Sequence, residues 1–542
     1  MSLIDRILEA RGINDNLKSS FLQPDYSNQY DPFLLPDMQK AVDRLGVALE
    51  KQERITVYGD YDIDGLTATA LILDAFSEFG FKNVEVYMPN RFVEGYGLTV
   101  DAVEKIAAAG TNLILTVDCG SLSEKEIIRA NELSVDVIVT DHHNVAETQP
   151  PATAVVNPKR IDHKYPFIDL AGVGVAFKLV QAMQTKFSGL PKGQEKWLLD
   201  LVALGTVCDV VPLIDENRTN VYWGLKVLAR TKRPGLKALM AVSKVEARKV
   251  NSRSLGFSLG PRMNAAGRLE TAQYALDMLI SSDSLIALET AQYLDMLNTT
   301  RQSDQAKILK AAITQAEELA LDPVLVVSDA DWSHGIVGIV ASKLLERYKK
   351  PTFVLQEIGK VTKGSARSYG DFSAADAIKA SKNVINKGGG HKLAAGVTLP
   401  TENIEAFRKI LNDFYRSLEL HDQEKLLLPK ADTDANLNEV TNDLIDLLSQ
   451  LEPFGYGNPQ PILKTDDVSV VNSRKMGDSS QHIKLELQDE NGDSMWFLAF
   501  NAPDYFFVEL GTRLSIWYHP DINEWQGRKT VEGRLLHLEK IC

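Results

Sequence analysis

The sequence is poor in cysteine and has no long apolar segment. Its three cysteines (Cys119, Cys208 and Cys542) are too few and too widely spaced for a disulfide framework. No apolar run approaches the roughly 20 residues that a transmembrane helix needs. Residues 1–8 place charges among apolar residues and lack a small-residue cleavage site, which does not fit a signal peptide. These features predict a cytoplasmic protein that does not bind membranes.

Basic residues are also in the minority. The chain has 59 Lys and Arg residues against 73 Asp and Glu residues, a net charge of −14, which argues against a surface covered with cations for nucleic acid. A local basic channel is still compatible with this balance, because exposed charges are screened beyond about 8 Å at physiological salt. A chain of 542 residues, 44% of them hydrophobic, is expected to form about three or four packed domains.

Short apolar segments alternate with helical patterns between residues 54 and 158. This alternation is typical of an α/β fold with a parallel sheet covered by helices on both faces. In such a sheet, ligands gather at the carboxyl ends of the strands. The predicted strands are Ile55–Val57, Val84–Met88, Leu113–Val117, Val135–Val139 and Ala154–Val156.

The middle of the chain predicts a long helix followed by a second α/β domain. A buried helix over Trp197–Leu204 is expected to end at Gly205, and a mostly polar helix over Ser284–Leu321 is expected to connect two lobes. A glycine-rich turn at residues 388–391 is expected to close the second α/β domain. The other predicted elements of that domain are the strands Val324–Val327 and Thr352–Leu355 and the helix Ile336–Tyr348.

After about residue 426 the sequence changes to short strand segments separated by turn residues. Five or six such segments over about 110 residues are typical of a small β-barrel such as the OB fold. Most aromatic residues of this region are expected to fill the barrel core, although their mixture with Lys and Arg also suits a surface that stacks bases and follows phosphates. These aromatic residues are Trp496, Phe497, Phe500, Trp517 and Tyr518.

Aspartates and histidines follow three of the predicted strands and the buried helix. Because the carboxyl ends of parallel strands meet at one sheet edge, we expect the strand-end side chains to lie together. Crowded carboxylates raise one another's pKa unless cations neutralise them. Asp and His ligands without cysteine favour Mn²⁺ or Mg²⁺, and a bridging aspartate would allow a two-metal arrangement that cleaves phosphate esters. The residues are Asp60, Asp62, Asp64, Asp118, Asp141, His142, His143 and Asp209.

Each of these segments taken alone is also compatible with an ordinary turn, since Asp and Gly are favoured after strands. Four segments together, with two histidines, favour a metal site over that simpler explanation. Cys119 and Cys208 each adjoin a proposed ligand, and the packing of a small side chain explains them adequately.

At these residues the sequence resembles the DHH phosphoesterase family, named for the motif Asp141-His142-His143, and within it the RecJ-like exonucleases. The resemblance extends through nearly the whole chain. It includes the segments Asp31–Met38, Tyr58–Gly65, Asn90–Phe92, Glu94–Leu98, Gly260–Leu269, Ser333–Ala341, Gly389–Gly396 and Pro453–Pro459.

The resemblance implies a centre of two divalent cations, Mn²⁺ or Mg²⁺. One ion would be held by Asp62 and Asp118, and the other by Asp64, Asp118, His142 and Asp209. Asp60 and Asp141 would support the centre, and the catalytic residues would be Asp118, His142 and His143, with His143 contacting the scissile phosphate. Some relatives carry a histidine at the position of Tyr58, so the first ion is expected to keep fewer protein ligands.

The resemblance also implies a set of residues that bind nucleic acid or phosphate. An arginine offers a two-pronged phosphate contact, and a glycine run can present backbone N–H groups to an anion. For Arg262 and Arg268, a structural role at a helix end is an equal alternative. Ala366 stands where relatives often have Gly, which fits only a backbone without positive φ. The set comprises Arg367, Ser368, Gly389, Gly390, His391, Arg262 and Arg268.

The implied function is a 5′→3′ exonuclease that hydrolyses single-stranded DNA to 5′-mononucleotides in DNA repair and recombination. The implied domains are a DHH domain with an N-terminal extension (1–215), a helical linker (216–321), a DHHA1 domain (322–425) and an OB-fold-like barrel (426–542). A monomer is expected, with a single-stranded-DNA-binding protein and a helicase as implied protein partners. The alternatives are a DHH phosphodiesterase for short oligonucleotides or cyclic dinucleotides, and an inactive RecJ-like scaffold, which the intact motif set disfavours.

Overall fold

The computed structural model describes residues 2–541 except 92, 419, 421, 422, 478, 479 and 526. Phe92 and Cys542, which belong to the sequence features above, lie outside the described residues. The chain divides into two compact units. The first comprises Met1–Gly267, Thr271–Gln292 and Pro429–Cys542, and the second comprises Arg268–Glu270 and Tyr293–Leu428.

A five-stranded parallel sheet lies at the centre of the first unit. Its strands are β1 (Ile55–Gly59), β2 (Val84–Tyr87), β3 (Leu113–Val117), β4 (Asp136–Thr140) and β5 (Ala154–Val156). They lie in the order β2-β1-β3-β4-β5, and every neighbouring pair is parallel. Strands β1 and β3 are buried along their whole length, as expected when helices cover both faces. The predicted sheet is confirmed.

Fourteen α-helical segments precede the second unit's sheet in the described part of the chain. They are α1 (Leu3–Ala10), α2 (Asp15–Leu22), α3 (Met38–Lys51), α4 (Ile63–Phe79), α5 (Val100–Ala108), α6 (Glu124–Glu132), α7 (Gly172–Met183), α8 (Leu199–Cys208), α9 (Asp215–Leu228), α10 (Pro234–Val242), α11 (Ser252–Ser254), α12 (Gly260–Leu269), α13 (Gln273–Ile280) and α14 (Ser284–Glu318). A π-helical turn, Leu255–Leu259, joins α11 to α12. No helix among the described residues is both long and apolar enough to cross a membrane.

Helix α8 continues through Gly205 and ends at Cys208, so the predicted end at Gly205 is wrong. A Cβ on Gly205 would lie 2.3 Å from Thr67 Oγ1 and 3.0 Å from Asp64 Oδ1, both on α4. The glycine therefore allows close packing of α8 on α4, and it does not terminate the helix.

A mixed five-stranded sheet forms the second unit. Its strands are β6 (Leu325–Asp329), β7 (Thr352–Ile358), β8 (Val361–Arg367), β9 (Lys387–Gly390) and β10 (Ala394–Pro400), in the order β6-β7-β8-β10-β9. Helices α15 (His334–Tyr348), α16 (Ala374–Ala380) and α17 (Ile404–Ser417) accompany it. The predicted glycine-rich turn at residues 388–391 is wrong, because Gly388, Gly389 and Gly390 form an edge strand paired with β10.

A six-stranded sheet, five strands of which (β12 to β16) close into a barrel, completes the first unit together with helix α18 (Asn442–Leu448). Its strands are β11 (Thr433–Asp434), β12 (Leu463–Met476), β13 (His482–Gln488), β14 (Ser494–Ala499), β15 (Arg513–Trp525) and β16 (Arg528–Lys540). Pairing of β12 with β15 closes the barrel. The segments Ile462–Lys464 and Val468–Val471, predicted as two of the short strands, are in fact joined in the single strand β12, whose pairing with β15 is irregular between Thr465 and Val468. Phe497 and Tyr518 are buried in the barrel core, and α1 packs on the same core. Phe500 is exposed and Trp496 and Trp517 are only partly buried, so the expectation that most of these aromatic residues fill the core is wrong.

Candidate metal centre

Four elements of the first unit bring acidic residues and histidines together. Asp60 follows β1, Asp118 follows β3, and Asp141 follows β4, each at the carboxyl end of its strand. Asp209 follows the last turn of α8. Three overlapping groups have ligand atoms within 4.8 Å of one another: Asp60, Asp62 and Asp118; Asp64, His142 and Asp209; and Asp118, His142 and His143. The structure thus brings together every metal ligand that the sequence predicted.

The start of α4 and the start of α7 fix the position of Asp64. Asp62 caps α4 by accepting hydrogen bonds from the backbone of Asp64 at 2.9 Å and of Gly65 at 3.2 Å. The carboxylate of Asp64 accepts from the backbone N–H groups of Gly172 at 2.6 Å and Val173 at 2.8 Å. Free N–H groups at a helix start stabilise a nearby anion. The side chain of Asp64 is therefore held in place by the protein itself.

Asp118 is the most crowded residue of the centre. It has a left-handed backbone, with φ 63°. Its Oδ1 lies 3.2 Å from His142 Nε2. A Cβ on Gly172 would lie 2.5 Å from that same Oδ1, so only glycine fits at the start of α7. Gly172 was not predicted as a site residue.

Asp141 orients His143 and is not a member of the three groups. Its Oδ1 accepts from the His143 backbone at 3.0 Å and lies 2.8 Å from His143 Nδ1. The hydroxyl of Tyr96 lies 2.9 Å from the same Nδ1. Burial lowers the pKa of His143, but the bond to Asp141 and the charges of Asp141, Asp64 and Asp62 together outweigh burial and raise that pKa. Tyr96 was not predicted to lie at the site; the only local signal was its position between Gly95 and Gly97.

Three buried polar atoms of the centre have no hydrogen-bond partner among the described residues. They are Asp60 Oδ1, Asp118 Oδ1 and His142 Nε2. Leaving such an atom unsatisfied costs about 1–3 kcal/mol, and more when the group is charged. Oxygen and imidazole nitrogen are the donors that Mn²⁺ and Mg²⁺ accept, and the three groups contain no cysteine. The residues present therefore fit divalent cations.

Three carboxyl groups of the centre hold their protons more tightly than usual. Burial, and then the charge of Asp62, raises the pKa of Asp64 to about 7. Burial, and then the charge of Asp64, raises the pKa of Asp209 to about 9. The pKa of Asp118 is also raised well above its ordinary value, mainly by burial. Negative charges are crowded here beyond what the protein alone compensates, so cations would stabilise the site.

His142 is a neutral imidazole over the physiological pH range. Burial, and then the charge of His143, lowers the pKa of His142 to about 3. A neutral imidazole is the form that binds a metal ion.

Tyr58, the position at which some relatives carry a histidine, is buried in β1. Its hydroxyl donates to the carbonyl of Gly97 at 2.9 Å, and its ring stacks on Tyr87. Tyr58 belongs to none of the three ligand groups.

Comparison with known proteins identifies the family. The models that match are the DHH family N-terminal domain over residues 54–206, the DHHA1 domain over 321–417 and the RecJ OB domain over 431–537. The single-stranded-DNA-specific exonuclease RecJ of Haemophilus influenzae is 34% identical over 99% of this chain and 96% of its own length. The chain belongs to the RecJ family.

Further RecJ proteins support this assignment. The chain is 38% identical to RecJ of Bacillus subtilis over 97% of its length, and it spans 66% of that relative. The crystal structure of RecJ from Thermus thermophilus in complex with Mn²⁺ superposes with a TM-score of 0.84 at 28% identity, covering 99% of this chain and 75% of that one. The Mg²⁺ complex of the same protein superposes with a TM-score of 0.77. These relatives have the fold described here.

The second unit of this RecJ family member contains five of the predicted phosphate-binding residues. Arg367 ends β8, and its Nη1 donates to the Ala366 carbonyl at 2.7 Å. Ala366 has no positive φ, as the replacement of a glycine requires. Ser368 is buried, and its hydroxyl donates to the carbonyl of Phe372. The remaining three residues, Gly389, Gly390 and His391, are exposed at and after the edge strand β9.

The two arginines of α12 have structural contacts. Arg262 Nη1 donates to the Ser258 carbonyl at 2.7 Å. Arg268 Nη1 donates to the Gly335 carbonyl at 3.0 Å, and a Cβ on Gly335 would lie 2.2 Å from the carbonyl oxygen of Arg268. A structural role is thus present for both, and a role in strand binding stays a prediction.

Binding of Mn²⁺ is expected to release protons. In the metal-free protein, the pKa of Asp64 is about 7 and the pKa of Asp209 is about 9, so each residue is protonated when the pH lies below its pKa. Cation binding requires the ionised forms of both residues. The apparent affinity should therefore fall as the pH is lowered from about 8 to about 6. Calorimetric titration in two buffers of different ionisation enthalpy measures both quantities. Equal affinity at both pH values, with no buffer-dependent heat, would contradict these protonation states.

Proposed function

We propose that the protein is a metal-dependent exonuclease that degrades single-stranded DNA from its 5′ end to 5′-mononucleotides. The observation that carries the proposal is that three groups of aspartates and histidines overlap at Asp118 and at His142, in a chain that matches RecJ over nearly its whole length. This activity belongs to DNA repair and recombination.

The centre would hold two cations, Mn²⁺ or Mg²⁺. Asp62 and Asp118 would hold one, supported by Asp60, and Asp64, Asp118, His142 and Asp209 would hold the other. When bound, such ions activate water for attack and stabilise the charge of the leaving oxygen. The hydrogen bonds from the start of α7 keep Asp64 in place, and the neutral His142 offers Nε2 as a ligand atom.

His143 would bind the scissile phosphate. Asp141 and Tyr96 surround Nδ1 of the ring, which leaves Nε2 free to point at the substrate. The raised pKa of His143 favours its cationic form, which attracts a phosphate anion. Asp141 thus orients the ring of His143 and favours its protonated form.

The second unit would bind the end of the strand. Arg367, Ser368 and His391 would hold the 5′ phosphate and the terminal nucleotide, and Gly389 and Gly390 would let the backbone approach the strand closely. Arg262 and Arg268 would be further contacts for the strand. Anchoring of the 5′ phosphate would set the polarity of digestion.

The outer face of the barrel would bind the part of the DNA strand that is distant from the cleavage site. Arg534, Leu498, Lys484 and Arg474 are successive cross-strand neighbours on β16, β14, β13 and β12. The ring of Trp496 lies 5.0 Å from the Arg474 guanidinium and 5.3 Å from Lys484 Nζ. Cationic side chains beside a partly exposed indole suit phosphates and a stacked base.

The other readings are less favoured. A phosphodiesterase for dinucleotides does not need a barrel, and this chain has one that matches the RecJ OB domain. An inactive scaffold would not need all the ligands in place. We also propose a cytoplasmic monomer that acts with a single-stranded-DNA-binding protein and a helicase, and a division into domains at residues 215, 321 and 425.

The decisive experiment is digestion of end-labelled DNA with Mn²⁺. A single strand with a labelled 5′ phosphate is expected to release labelled mononucleotide at once, whereas a 3′ label should be released last. Duplex DNA and a strand with a blocked 5′ end should be degraded slowly. Release of the 3′ label first, or equal digestion of duplex DNA, would overturn the proposed specificity.

A further inference from the structure

An exposed aromatic residue lies on the π-helical turn beside the metal centre. Phe257 is 80% exposed, whereas Leu255 and Leu259 of the same turn are buried. Burial of a phenylalanine side chain is worth about 1.5–3 kcal/mol, and this residue forgoes that gain. π-Helical turns are rare and occur frequently at functional sites.

The turn packs directly on the end of α8, next to Asp209. Cys208 Sγ donates to the carbonyl of Leu255 at 3.7 Å, and a Cβ on Gly260 would lie 2.7 Å from that sulfur. Val210, on the other side of Asp209, is 63% exposed with a φ of 61°, an unfavourable conformation for a β-branched residue. Two solvent-exposed apolar residues, Phe257 and Val210, therefore belong to the elements that flank Asp209, a predicted metal ligand.

Two arginines lie near this turn and on the barrel: Arg253 precedes the turn, and Arg534 belongs to strand β16. Arg253 is exposed and lies four residues before Phe257, one helical turn away. Its neighbour Ser252 donates to the carbonyl of Phe454 at 2.5 Å, and Arg534 of β16 donates to Gln460 of the same connecting segment at 3.2 Å. Burial, and then the charge of Arg253, lowers the pKa of Arg534.

Arg534 lies within range of the charges of both Arg253 and Asp521, and the Asp521 carboxylate offsets only part of the effect of burial and of Arg253. Like charges that act on each other favour a bound anion, because the anion reduces their repulsion. The next neighbours of Arg534 across the barrel face are Leu498 and then Lys484. Cationic side chains therefore extend from the π-helical turn onto the barrel surface, where Lys484 is paired with Glu532.

We propose that Phe257 stacks on a base of the single strand as it leaves the metal centre, and that Arg253 and Arg534 bind the phosphates that follow. This inference rests on the proposed function and adds the route of the strand between the metal centre and the barrel. An aromatic face accepts any base, so the contact holds the strand without selecting its sequence.

The test compares variants on a long oligonucleotide and on a dinucleotide. Phe257→Leu keeps the apolar character but removes the aromatic face, and it is expected to weaken binding of the long strand by about tenfold. Phe257→Tyr should bind as the wild type does. Both should cleave the dinucleotide, which does not reach the turn, at the wild-type kcat. Thermal unfolding of both variants should match the wild type, since the side chain is exposed.

The arginines are tested by the salt dependence of binding. Arg253→Gln and Arg534→Gln should each reduce the slope of log Kd against log salt by about 0.7, as the loss of one single-strand phosphate contact does. Arg129→Gln, which alters a partly exposed arginine of α6 that pairs with Glu104 and Glu132, should leave the slope unchanged. Wild-type affinity of Phe257→Leu together with unchanged slopes would overturn this inference. Failure of the wild type to digest single strands would instead overturn the proposed function.

Discussion

Replacing Asp118 with asparagine is expected to lower Mn²⁺-dependent hydrolysis of single-stranded DNA by on the order of 10³-fold or more. Asp118 belongs to two of the three ligand groups, and its Oδ1 lies buried without a hydrogen-bond partner among the described residues. Asparagine has one carbonyl oxygen and no charge, so it cannot bridge two cations. The rate is measured as release of labelled mononucleotide at saturating Mn²⁺.

Asparagine is the right replacement because it preserves the local backbone. Asp118 has φ 63°, and asparagine tolerates this left-handed conformation, whereas alanine does not tolerate it well. Loss of activity in D118N with unchanged thermal unfolding and unchanged strand affinity would therefore report on the centre alone.

A matched control exists in the barrel. Asp467 also has a left-handed backbone, with φ 58°, and its exposed carboxylate pairs with Arg513. Asp467→Asn makes the same chemical change at an equivalent backbone conformation and should leave the rate of hydrolysis unchanged. A D118N enzyme as active as this control would refute the bridging role.

The position of the metal centre could be predicted because it follows from sheet topology. Alternating strands and helices predict a parallel sheet, and parallel strands place their carboxyl ends at one edge. Asp60, Asp118 and Asp141 each follow such a strand, so their convergence required no knowledge of side-chain packing. Tyr96 could not be predicted in the same way, because it lies on an irregular segment between β2 and α5 with no periodicity.

Glycine was the main source of error. Gly205 predicted a helix end and Gly388 to Gly390 predicted a turn, yet both segments are regular. A Cβ on Gly388 would lie 2.7 Å from Ile378, and one on Gly205 would lie 2.3 Å from Thr67. Sequence alone does not distinguish a glycine needed for backbone freedom from one needed for close approach, since the neighbour that approaches is distant in the chain.

The antiparallel part of the second sheet was missed for a related reason. Strand β8 contains Gly364 and strand β10 contains Gly396, and these residues interrupt the apolar pattern that predicts a strand. A Cβ on Gly364 would lie 2.2 Å from a side-chain atom of Leu355 on β7. Tertiary packing therefore determines these strands more than local propensity does.

Replacing Gly172 with alanine is expected to disrupt the metal centre even though residue 172 binds no ion. The new Cβ would lie 2.5 Å from Asp118 Oδ1 and 2.7 Å from Asp118 Cβ. Either Asp118 or the start of α7 must shift, and α7 donates the backbone hydrogen bonds that hold Asp64. A displacement of this size at a catalytic centre costs about 10²-fold in rate.

Gly174→Ala is the matched control, two residues further along the same helix. Its Cβ would meet only Leu170 side-chain atoms, the nearest at 3.5 Å, which is an ordinary contact. Alanine also favours the helix by roughly 0.5–1 kcal/mol relative to glycine, so Gly174→Ala should be as stable as the wild type or more so. Its rate and its Mn²⁺ affinity should be unchanged.

Measurements of stability and activity distinguish two possible effects of Gly172→Ala, namely overpacking and displacement of Asp118. Overpacking alone costs about 1–3 kcal/mol in the free energy of unfolding and would leave the rate per folded molecule intact. Displacement of Asp118 would instead weaken Mn²⁺ binding measured by calorimetry and lower the rate at saturating Mn²⁺. If Gly172→Ala binds Mn²⁺ and cleaves DNA as Gly174→Ala does, the contact between α7 and Asp118 does not position the centre.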